Sequence, residues 1–459
     1  MQTATAAPSV GVLGLRAAYR AGTLRPRDVV EAVLARLAAR GDDHVWISVS
    51  PAAELRERAA RLETLDPGAL PLYGVPVAVK DNIDAAGLPT TAACPAFAYT
   101  PTVDAGAVRR LREAGAIVVG KTNLDQFATG LNGGRSPYGA PESVFGGDLI
   151  SGGSSSGSAV AVAAGIVPVA LGTDTAGSGR VPAALNGVVG LKPTRGLVGA
   201  SGVVPACRSL DCVSVFTRDV ADAAAVLRVL AGPDPDDPWS RTGAPRPRGL
   251  TLAIPEELDL EGDAAMRAAF EAATDRAVAR STGFVRTTVE PLREAGDLLY
   301  GGPWVAERLA VLQDFLAAHP DDVLPVTRSV VESGAAYSAV DAFRARYRLQ
   351  ELKAWTDRLF ATADLLLLPT VPTTFTRAEL AAEPVVRNLV LGRYTQFTNL
   401  LDLAALAVPA GTTADGRPCG VTLVGPAFSE DRLLAAAEAL LAPVPPPVPT
   451  PVPSTPEVP

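Results

Sequence analysis

The feature that most restricts how this chain can fold is its glycine- and serine-rich middle, residues 130–205. Flexible linkers share this composition. Here, however, the polar runs alternate with the apolar runs VAVAAGIVPVAL (160–171) and VVGLKP (188–193), which need to be buried. Glycine inside a buried segment often marks the close approach of a backbone to a ligand or to another backbone. The pattern therefore predicts main chain packed tightly around a site.

The segments on either side indicate an α/β protein. Residues 24–41 carry apolar side chains at helical spacing and close at a glycine, and DAGAVRRLREAG (104–115) is a second amphipathic helix. AIVVGK (116–121) and ADLLLLPTVP (363–372) have the composition of buried strands. With 459 residues, 48% of them hydrophobic, the chain has enough apolar material for a large core.

Histidine and cysteine usage restricts the chemistry. A Ser-His-Asp triad needs a histidine, but the only two, His44 and His319, have no nucleophile beside them in sequence and are predicted to lie on the surface. The cysteines show neither C-x-x-C nor zinc spacing. We therefore expect unpaired thiols and no bound metal. The four cysteines are Cys94, Cys207, Cys212 and Cys419.

The charge pattern argues against nucleic acid and membrane partners. The formal net charge is -8, so the basic surface typical of nucleic-acid binding is not expected. The longest apolar stretch, Ala159 to Leu171, is too short to span a bilayer and contains Gly165 and Pro168. The first residues do not resemble a secretion signal. These features predict a cytoplasmic protein.

Three segments carry residues suited to chemistry. They are GVPVAVKD (74–81), SGGSSSGS (151–158) and GTDTAGSGRVPA (172–183). Lys80, at the end of the first, could simply extend its ammonium group into water. The glycine runs could hold a phosphate, but they lack the Gly-Lys-Ser/Thr ending of a Walker loop and a G-x-G-x-x-G after a strand. A nucleotide site is therefore the weaker interpretation.

Together these segments resemble the amidase signature family. The similarity rests on GGSSSGSAVAVAAGIVPVALGTDTAGSGRVPAALNGVVGLKPTRG and on GVPVAVKDN, and it extends over nearly the whole chain to about residue 440. The resemblance implies an α/β amidase signature fold, with a large mixed β-sheet core covered by helices on both faces. It also implies an amidohydrolase without a cofactor. Its catalytic triad would be Ser178 as nucleophile, Ser154 as bridging serine after a cis peptide, and Lys80 as base.

The chemistry of such a triad is physically reasonable. A serine hydroxyl is too weakly acidic to attack an amide unaided. A lysine accepts its proton only when neutral, which requires a pKa well below ~10, and burial against Val77 and Val79 would lower it. Ser155 is a second candidate for the bridging role, although its register fits less well.

The resemblance also assigns supporting roles around the nucleophile. It makes Thr175, Ala176 and Gly177 an oxyanion loop, whose backbone N–H groups would face the developing negative charge. Asp174 and Arg180 match positions near the family's site, and a hydrogen-bonded framework is the role expected for them.

Two further segments resemble the amidase domain of allophanate hydrolases more specifically. They are GVVPACRSLDCVSVF and LLYGGPWVAERLAVL. The resemblance makes Tyr300, Arg308 and Gly130 substrate-binding residues, with Tyr300 just before a helix and Arg308 in its second turn. A guanidinium suits a planar carboxylate because it can bind both oxygens. From spacing alone, a salt bridge from Arg308 to Glu307 or to another helix carboxylate is the simpler interpretation.

The domain organisation and partners are expected from the same resemblance. Residues 1–442 would form the amidase domain, and 443–459 a proline-rich tail or linker, without the C-terminal domain of full-length allophanate hydrolases. Allophanate would be the substrate, with a functional link to urea carboxylase, and a homodimer is allowed. The alternatives are an amidase for another small amide, a transamidosome catalytic subunit and a non-catalytic binding protein.

Overall fold

One large mixed sheet organises the molecule. The computed structural model describes residues 11–247 and 249–441, and in that part of the chain eleven strands form a single sheet. The strands are β1 Trp46–Val49, β2 Pro76–Lys80, β3 Ile117–Thr122, β4 Val169–Asp174, β5 Val189–Lys192, β6 Cys212–Thr217, β7 Thr251–Pro255, β8 Gly283–Thr287, β9 Leu365–Pro369, β10 Leu403–Thr412 and β11 Pro418–Pro426.

The sheet is parallel in two places, around β2 and around β7. Across the sheet the strand order is β1-β3-β2-β4-β6-β5-β10-β11-β9-β7-β8. β2 pairs in parallel with both β3 and β4, and β7 pairs in parallel with β8 and β9. The other neighbouring pairs are antiparallel. The predicted mixed sheet is thus confirmed.

Helices cover both faces of this sheet, as predicted. The helices are α1 Val12–Arg20, α2 Pro26–Arg40, α3 Ala52–Leu62, α4 Gly106–Glu113, α5 Ser156–Ala163, α6 Val181–Leu185, α7 Val220–Leu230, α8 Ala264–Arg280, α9 Glu290–Tyr300, α10 Trp304–Ala318, α11 Pro325–Glu332, α12 Ala339–Leu359, α13 Arg377–Ala382, α14 Val386–Gly392, α15 Phe397–Leu400 and α16 Glu430–Leu441. Short 3₁₀ turns span Pro95–Phe97, Gln126–Ala128 and Ser333–Ala336.

Side-chain alternation along the strands creates two buried layers. In β9, Leu365 and Leu367 join a cluster with α4, α7, α8 and α16, whereas Leu366 and Leu368 join a cluster with α9, α12 and α15 on the opposite face. Successive strand residues point to opposite faces, so a continuous leucine run is what a strand covered on both sides requires.

The local predictions agree with this architecture. The predicted helix at 24–41 and strand at 116–121 correspond to α2 and β3. All four cysteines are free and buried, and both histidine side chains are 45% exposed. Within the described chain, no helix is long and apolar enough to cross a bilayer. The predicted tail at 443–459 lies outside the described residues.

The parallel strands bring the chemically suited segments to one edge of the sheet. β2, β3 and β4 run side by side in the same direction. Their carboxyl ends therefore meet at the same edge, where they deliver Lys80, Thr122 and Asp174. The loops that follow β3 and β4 also begin there, so this edge is where a site can be assembled from residues distant in sequence.

Candidate active site

Lys80 occupies the centre of this edge and is fully buried. Its Nζ donates hydrogen bonds of 2.7 Å to the hydroxyls of both Ser154 and Thr173. Among the residues that the structure describes, no carboxylate forms an ion pair with it. Burial lowers the pKa of the Lys80 ammonium from 10.5 to about 7. A lysine with a pKa lowered this far is able to accept a proton near neutral pH.

The valines expected to bury this lysine lie on the other side of the sheet. Val77 and Val79 belong to the hydrophobic cluster on one face, whereas Ala78 belongs to the cluster packed against α5 and α6. Lys80 shares the alternation of Ala78 and points toward α5. The prediction that Lys80 is buried is correct, but its neighbours are the serine segment and Thr173 rather than the two valines.

The serine segment preceding α5 presents Ser154, not Ser155, to the lysine. The peptide between Gly153 and Ser154 is cis. Ser155 instead turns toward β4, where its hydroxyl donates to the Thr173 carbonyl at 3.1 Å and accepts from the Thr173 N–H at 3.3 Å. The competing assignment of Ser155 as the bridging residue is therefore wrong, because its hydroxyl is engaged by the strand backbone.

Ser178 lies in the loop between β4 and α6 and is only 3% exposed. Asp174 shapes this loop, because its carboxylate accepts the N–H groups of Gly177 and Gly179 at 3.0 Å each and pairs with Arg180 at 2.9 Å. Both side chains of this ion pair are fully buried. The expected framework role of Asp174 and Arg180 is thus what the geometry displays.

The serine segment and the nucleophile loop are tied together directly. The Asn186 side chain, one residue beyond α6, donates to the Ser151 carbonyl at 2.7 Å and to the Pro182 carbonyl at 2.9 Å. Within the described residues, no hydrogen bond joins the hydroxyls of Ser178 and Ser154. The link between the two serines therefore rests on their family motifs and not on a direct contact.

The proposed oxyanion loop is held from both sides. The Thr175 hydroxyl donates to Asp211 at 2.5 Å, and the Thr395 hydroxyl donates to the Ala176 carbonyl at 2.7 Å. Burial raises the pKa of the Asp211 carboxyl to about 6. Gly177 adopts a φ of 132°, which a residue with a side chain rarely reaches. Its N–H is already donated to Asp174, so the resemblance-based oxyanion role does not fit Gly177 through that group.

The buried Arg308 and the half-buried Tyr300 form a second polar group. Arg308, in the second turn of α10 as predicted, is 1% exposed. It donates to the hydroxyls of Thr129 at 3.1 Å and Tyr300 at 3.2 Å, and its Nε has no partner among the described residues. Tyr300 ends α9, and Gly130 directly follows Thr129. In the part of the chain that the structure describes, Arg308 forms no salt bridge, and a permanently charged guanidinium buried in this way favours binding of an anionic ligand.

The simpler interpretation of Arg308, a salt bridge to Glu307, is wrong. Glu307 accepts the N–H and the hydroxyl of Ser209, both at 2.7 Å. Adjacent helix residues point in different directions, so Glu307 faces the Ser209 loop while Arg308 faces the site.

Four residues around the site were missed by sequence reasoning: Thr129, Asp125, Thr173 and Asp211. One signal could have identified Asp125 and Thr173, because both lie at or just beyond the carboxyl ends of strands that flank β2. Thr129 had no such signal, because it lies in the loop beyond β3. Asp211 directly precedes β6, whose first residue pairs with Asp174 at this edge, but that antiparallel pairing joins segments distant in sequence. Within the described part of the chain, no group of three or more histidine, cysteine or acidic side chains is arranged to hold a metal ion.

Comparison with known proteins places this geometry in a family. The amidase family model matches residues 28–434. The chain belongs to the amidase family. The family assignment made from the sequence motifs is therefore confirmed, and the amidase signature fold is confirmed with it.

Individual relatives show which members of the family this chain resembles. The urea amidolyase of Saccharomyces cerevisiae is 48% identical over 404 residues, which cover 86% of this chain and 22% of the yeast protein. A glutamyl-tRNA(Gln) amidotransferase subunit from Natronomonas pharaonis is 38% identical over 83% of this chain and 97% of its own length. The allophanate hydrolase structure from Kluyveromyces lactis superposes with a TM-score of 0.89 at 43% identity, covering 94% of this chain and 73% of that one. This amidase thus spans less than a quarter of the yeast urea amidolyase.

Proposed function

We propose that this amidase hydrolyses the terminal amide of allophanate and releases ammonia. The observation that carries the proposal is Arg308, a buried cation that donates to the Tyr300 hydroxyl through Nη2 and whose Nε has no partner among the described residues. Allophanate is urea bearing an N-carboxylate, so its small planar anion matches a guanidinium fork. The similarity to urea amidolyase and to allophanate hydrolase supports the same substrate.

The proposed reaction begins with proton transfer along the triad. Neutral Lys80 takes the proton of Ser154, and Ser154 takes that of Ser178, whose oxygen attacks the terminal carbonyl. The N–H groups of Thr175 and Ala176 would stabilise the oxyanion. The proton held by Lys80 returns through Ser154 to the leaving nitrogen, so ammonia departs and a Ser178 ester remains.

Water then hydrolyses the Ser178 ester and completes the cycle. The same relay removes a proton from water as its oxygen attacks the Ser178 ester, and the ester bond then breaks. Ser178 recovers its proton, and N-carboxycarbamate leaves. This product goes on to carbon dioxide and ammonia. In this proposal residues 1–442 form the amidase domain, and no cofactor takes part.

The pH dependence follows from Lys80. Its pKa is lowered to about 7, and only the neutral amine serves as base. We expect kcat/KM to be level above pH 7 and to fall about tenfold per pH unit below it, because the ammonium form then dominates. Below pH 6, protonation of Asp211 weakens the Thr175 anchor and makes the decline steeper. Initial rates between pH 5.5 and 9 on a stable neutral amide measure both limbs, and a flat profile would contradict the role of Lys80.

The decisive test is ammonia release from a panel of amides. Freshly prepared allophanate is compared with urea, biuret, malonamate, glutamine and an aliphatic amide, with Ser178→Ala as the control. Ser178-dependent turnover of allophanate well above the others supports the proposal. Turnover of glutamine would favour the transamidosome alternative, to which the amidotransferase relative points. Turnover of other amides without turnover of allophanate would indicate a different amidase. If a serine-directed phosphonate does not label Ser178, the chain is a binding protein and not an enzyme.

The biological setting is proposed on the same basis. Allophanate arises by carboxylation of urea, so a urea carboxylase activity would supply the substrate. We propose a cytoplasmic enzyme that acts without nucleic acid or membrane partners. Homodimer formation stays a prediction that light scattering of the purified chain would test.

A further inference from the structure

Asp125, just beyond the end of β3, is fully buried and accepts several backbone hydrogen bonds. Its Oδ2 accepts the N–H groups of Asn132 at 3.2 Å and Gly133 at 3.1 Å, and its Oδ1 accepts that of Arg135 at 2.9 Å. Three donors from one short loop around a single carboxylate fix the loop's path. The carboxylate therefore determines where the 129–135 loop lies.

The other side of Asp125 faces the serine segment. Its backbone N–H donates to the Ser154 carbonyl at 3.1 Å. A Cβ added at Gly130 would come within 2.6 Å of Asp125 Oδ2, and one added at Gly153 would also collide with it. The carboxylate therefore fills the space between the loop and the cis-peptide segment, and both glycines are needed for that fit.

The 129–135 loop continues to the guanidinium site. Arg135 Nη1 donates to the Thr129 carbonyl at 3.0 Å, and the Thr129 hydroxyl accepts from Arg308 at 3.1 Å. A continuous set of hydrogen bonds thus runs from Ser154 through Asp125 and the loop to Arg308. The hydrogen bonds from Arg135 and Arg308 to Thr129 are both buried, where the low local dielectric strengthens them and helps to hold the loop in one arrangement.

We propose that Asp125 is the positioning residue that fixes the bridging serine and the anion-binding loop relative to each other. The proposal deepens the proposed function, since it rests on Ser154 as the proton relay and on Arg308 as the carboxylate site. Asp125 touches neither the reacting atoms nor the substrate in this scheme. It acts through the distance between the proton relay at Ser154 and the carboxylate site at Arg308.

The negative charge of Asp125 gives a readout that a purely structural role would not move. The charged groups acting on Lys80 are Asp125, Asp211 and Asp174, which raise its pKa against the dominant effect of burial, and Arg308, which lowers it. Asp125 has the largest effect of these four. A neutral side chain of the same shape at this position should therefore lower the pKa of Lys80 further.

The test compares Asp125→Asn with the wild type and with Asp222→Asn. Asp222 is the matched control, because it is also buried and accepts two backbone N–H groups, those of Val12 and Leu13, but it lies at α7 away from the site. We expect Asp125→Asn to lower kcat/KM for allophanate about 100-fold, since misplacement by about 1 Å has that effect. The acid limb of its pH profile should move to lower pH.

A substrate-independent measurement separates this proposal from the proposed function. The rate at which a serine-directed phosphonate labels Ser178 reports the relay without needing allophanate. If the wild type labels but does not hydrolyse allophanate, the proposed substrate fails while the labelling rates still test Asp125. Slower labelling and a moved acid limb for Asp125→Asn, with Asp222→Asn unchanged in both, support the positioning role.

Two outcomes would overturn the proposal. One is that Asp125→Asn and Asp222→Asn lose equal activity, in proportion to the decrease in their melting temperatures, and that the acid limb does not move.

If Asp125→Asn does not purify as a folded protein, Arg135→Met tests the hydrogen bond from the loop to Thr129 without changing Asp125. It should raise KM for allophanate about tenfold or more and leave the acid limb in place. An unchanged KM would be the second contradicting outcome.

Discussion

Replacing Ser178 by alanine is expected to lower kcat for amide hydrolysis on the order of 10⁶-fold, because the attacking oxygen is removed. The loop fold should survive, since Asp174 holds it through the backbone of Gly177 and Gly179 and through Arg180, not through the serine hydroxyl. The measurement is ammonia release under single-turnover conditions. Mass spectrometry after phosphonate treatment should show one adduct in the wild type and none in the variant.

Non-additivity is the stricter form of this prediction. If Ser178 and Lys80 belong to one relay, Lys80→Met should lose nearly as much activity, and the double variant should be little worse than either single one. Multiplying losses would contradict the relay, because independent groups contribute independently. Ser143→Ala is the matched control: this buried serine donates to the Leu185 carbonyl outside the site, and its loss should leave kcat unchanged.

The parts of the fold that could be predicted are those that depend on short stretches of sequence. The leucine run at 365–368 is apolar on both faces, and that alone indicates a strand covered on both sides. Likewise, the periodicity of residues 24–41 sets the length of α2. The order of the eleven strands was not predictable, because pairing joins segments such as β5 and β10 that are distant in the chain.

In the site, too, residues in contiguous motifs could be predicted, whereas contacts between segments distant in the chain could not. Lys80, Ser154 and Ser178 stand in contiguous motifs whose resemblance to a family carries their roles. Thr173 was missed, although it shares Lys80 Nζ with Ser154, because its contact depends on β4 lying beside β2. Val77 and Val79 were expected to surround Lys80 because they are close to it in sequence. Their side chains instead point to the opposite face of the sheet.

Gly177 and Glu307 show a third kind of limit. In both, the residue type was compatible with the predicted contact, but another partner had already taken the group: Asp174 for the Gly177 N–H, and Ser209 for the Glu307 carboxylate. Each buried donor or acceptor forms few bonds, so its partner depends on competition among residues that only the fold brings together.

Arg308 shows the opposite case, in which the missing partner is informative. The fold leaves its Nε unsatisfied at 1% exposure, an arrangement that is unfavourable unless a ligand completes it. Under the proposed function, substrate selectivity would then come from a charge that forms no salt bridge within the described part of the chain. A neutral amide of the same shape would find that charge without a counterpart.

Replacing Arg308 by leucine is expected to have the second large effect. We expect kcat/KM for allophanate to fall about 100-fold or more, mainly through KM, since loss of one partner from a buried charged pair costs about 3 kcal/mol. Biuret replaces the carboxylate of allophanate by a carboxamide at nearly constant shape, and its kcat/KM should change less than about tenfold. Steady-state ammonia release on both substrates measures the difference.

The Arg308→Lys variant sharpens the interpretation. Lysine keeps the positive charge but not the planar fork, so it should recover only part of the allophanate activity if two oxygens are bound together. Full recovery would indicate that charge alone suffices. Equal losses on allophanate and biuret in Arg308→Leu would contradict carboxylate recognition, because a residue that merely supports Tyr300 and Thr129 affects both substrates alike.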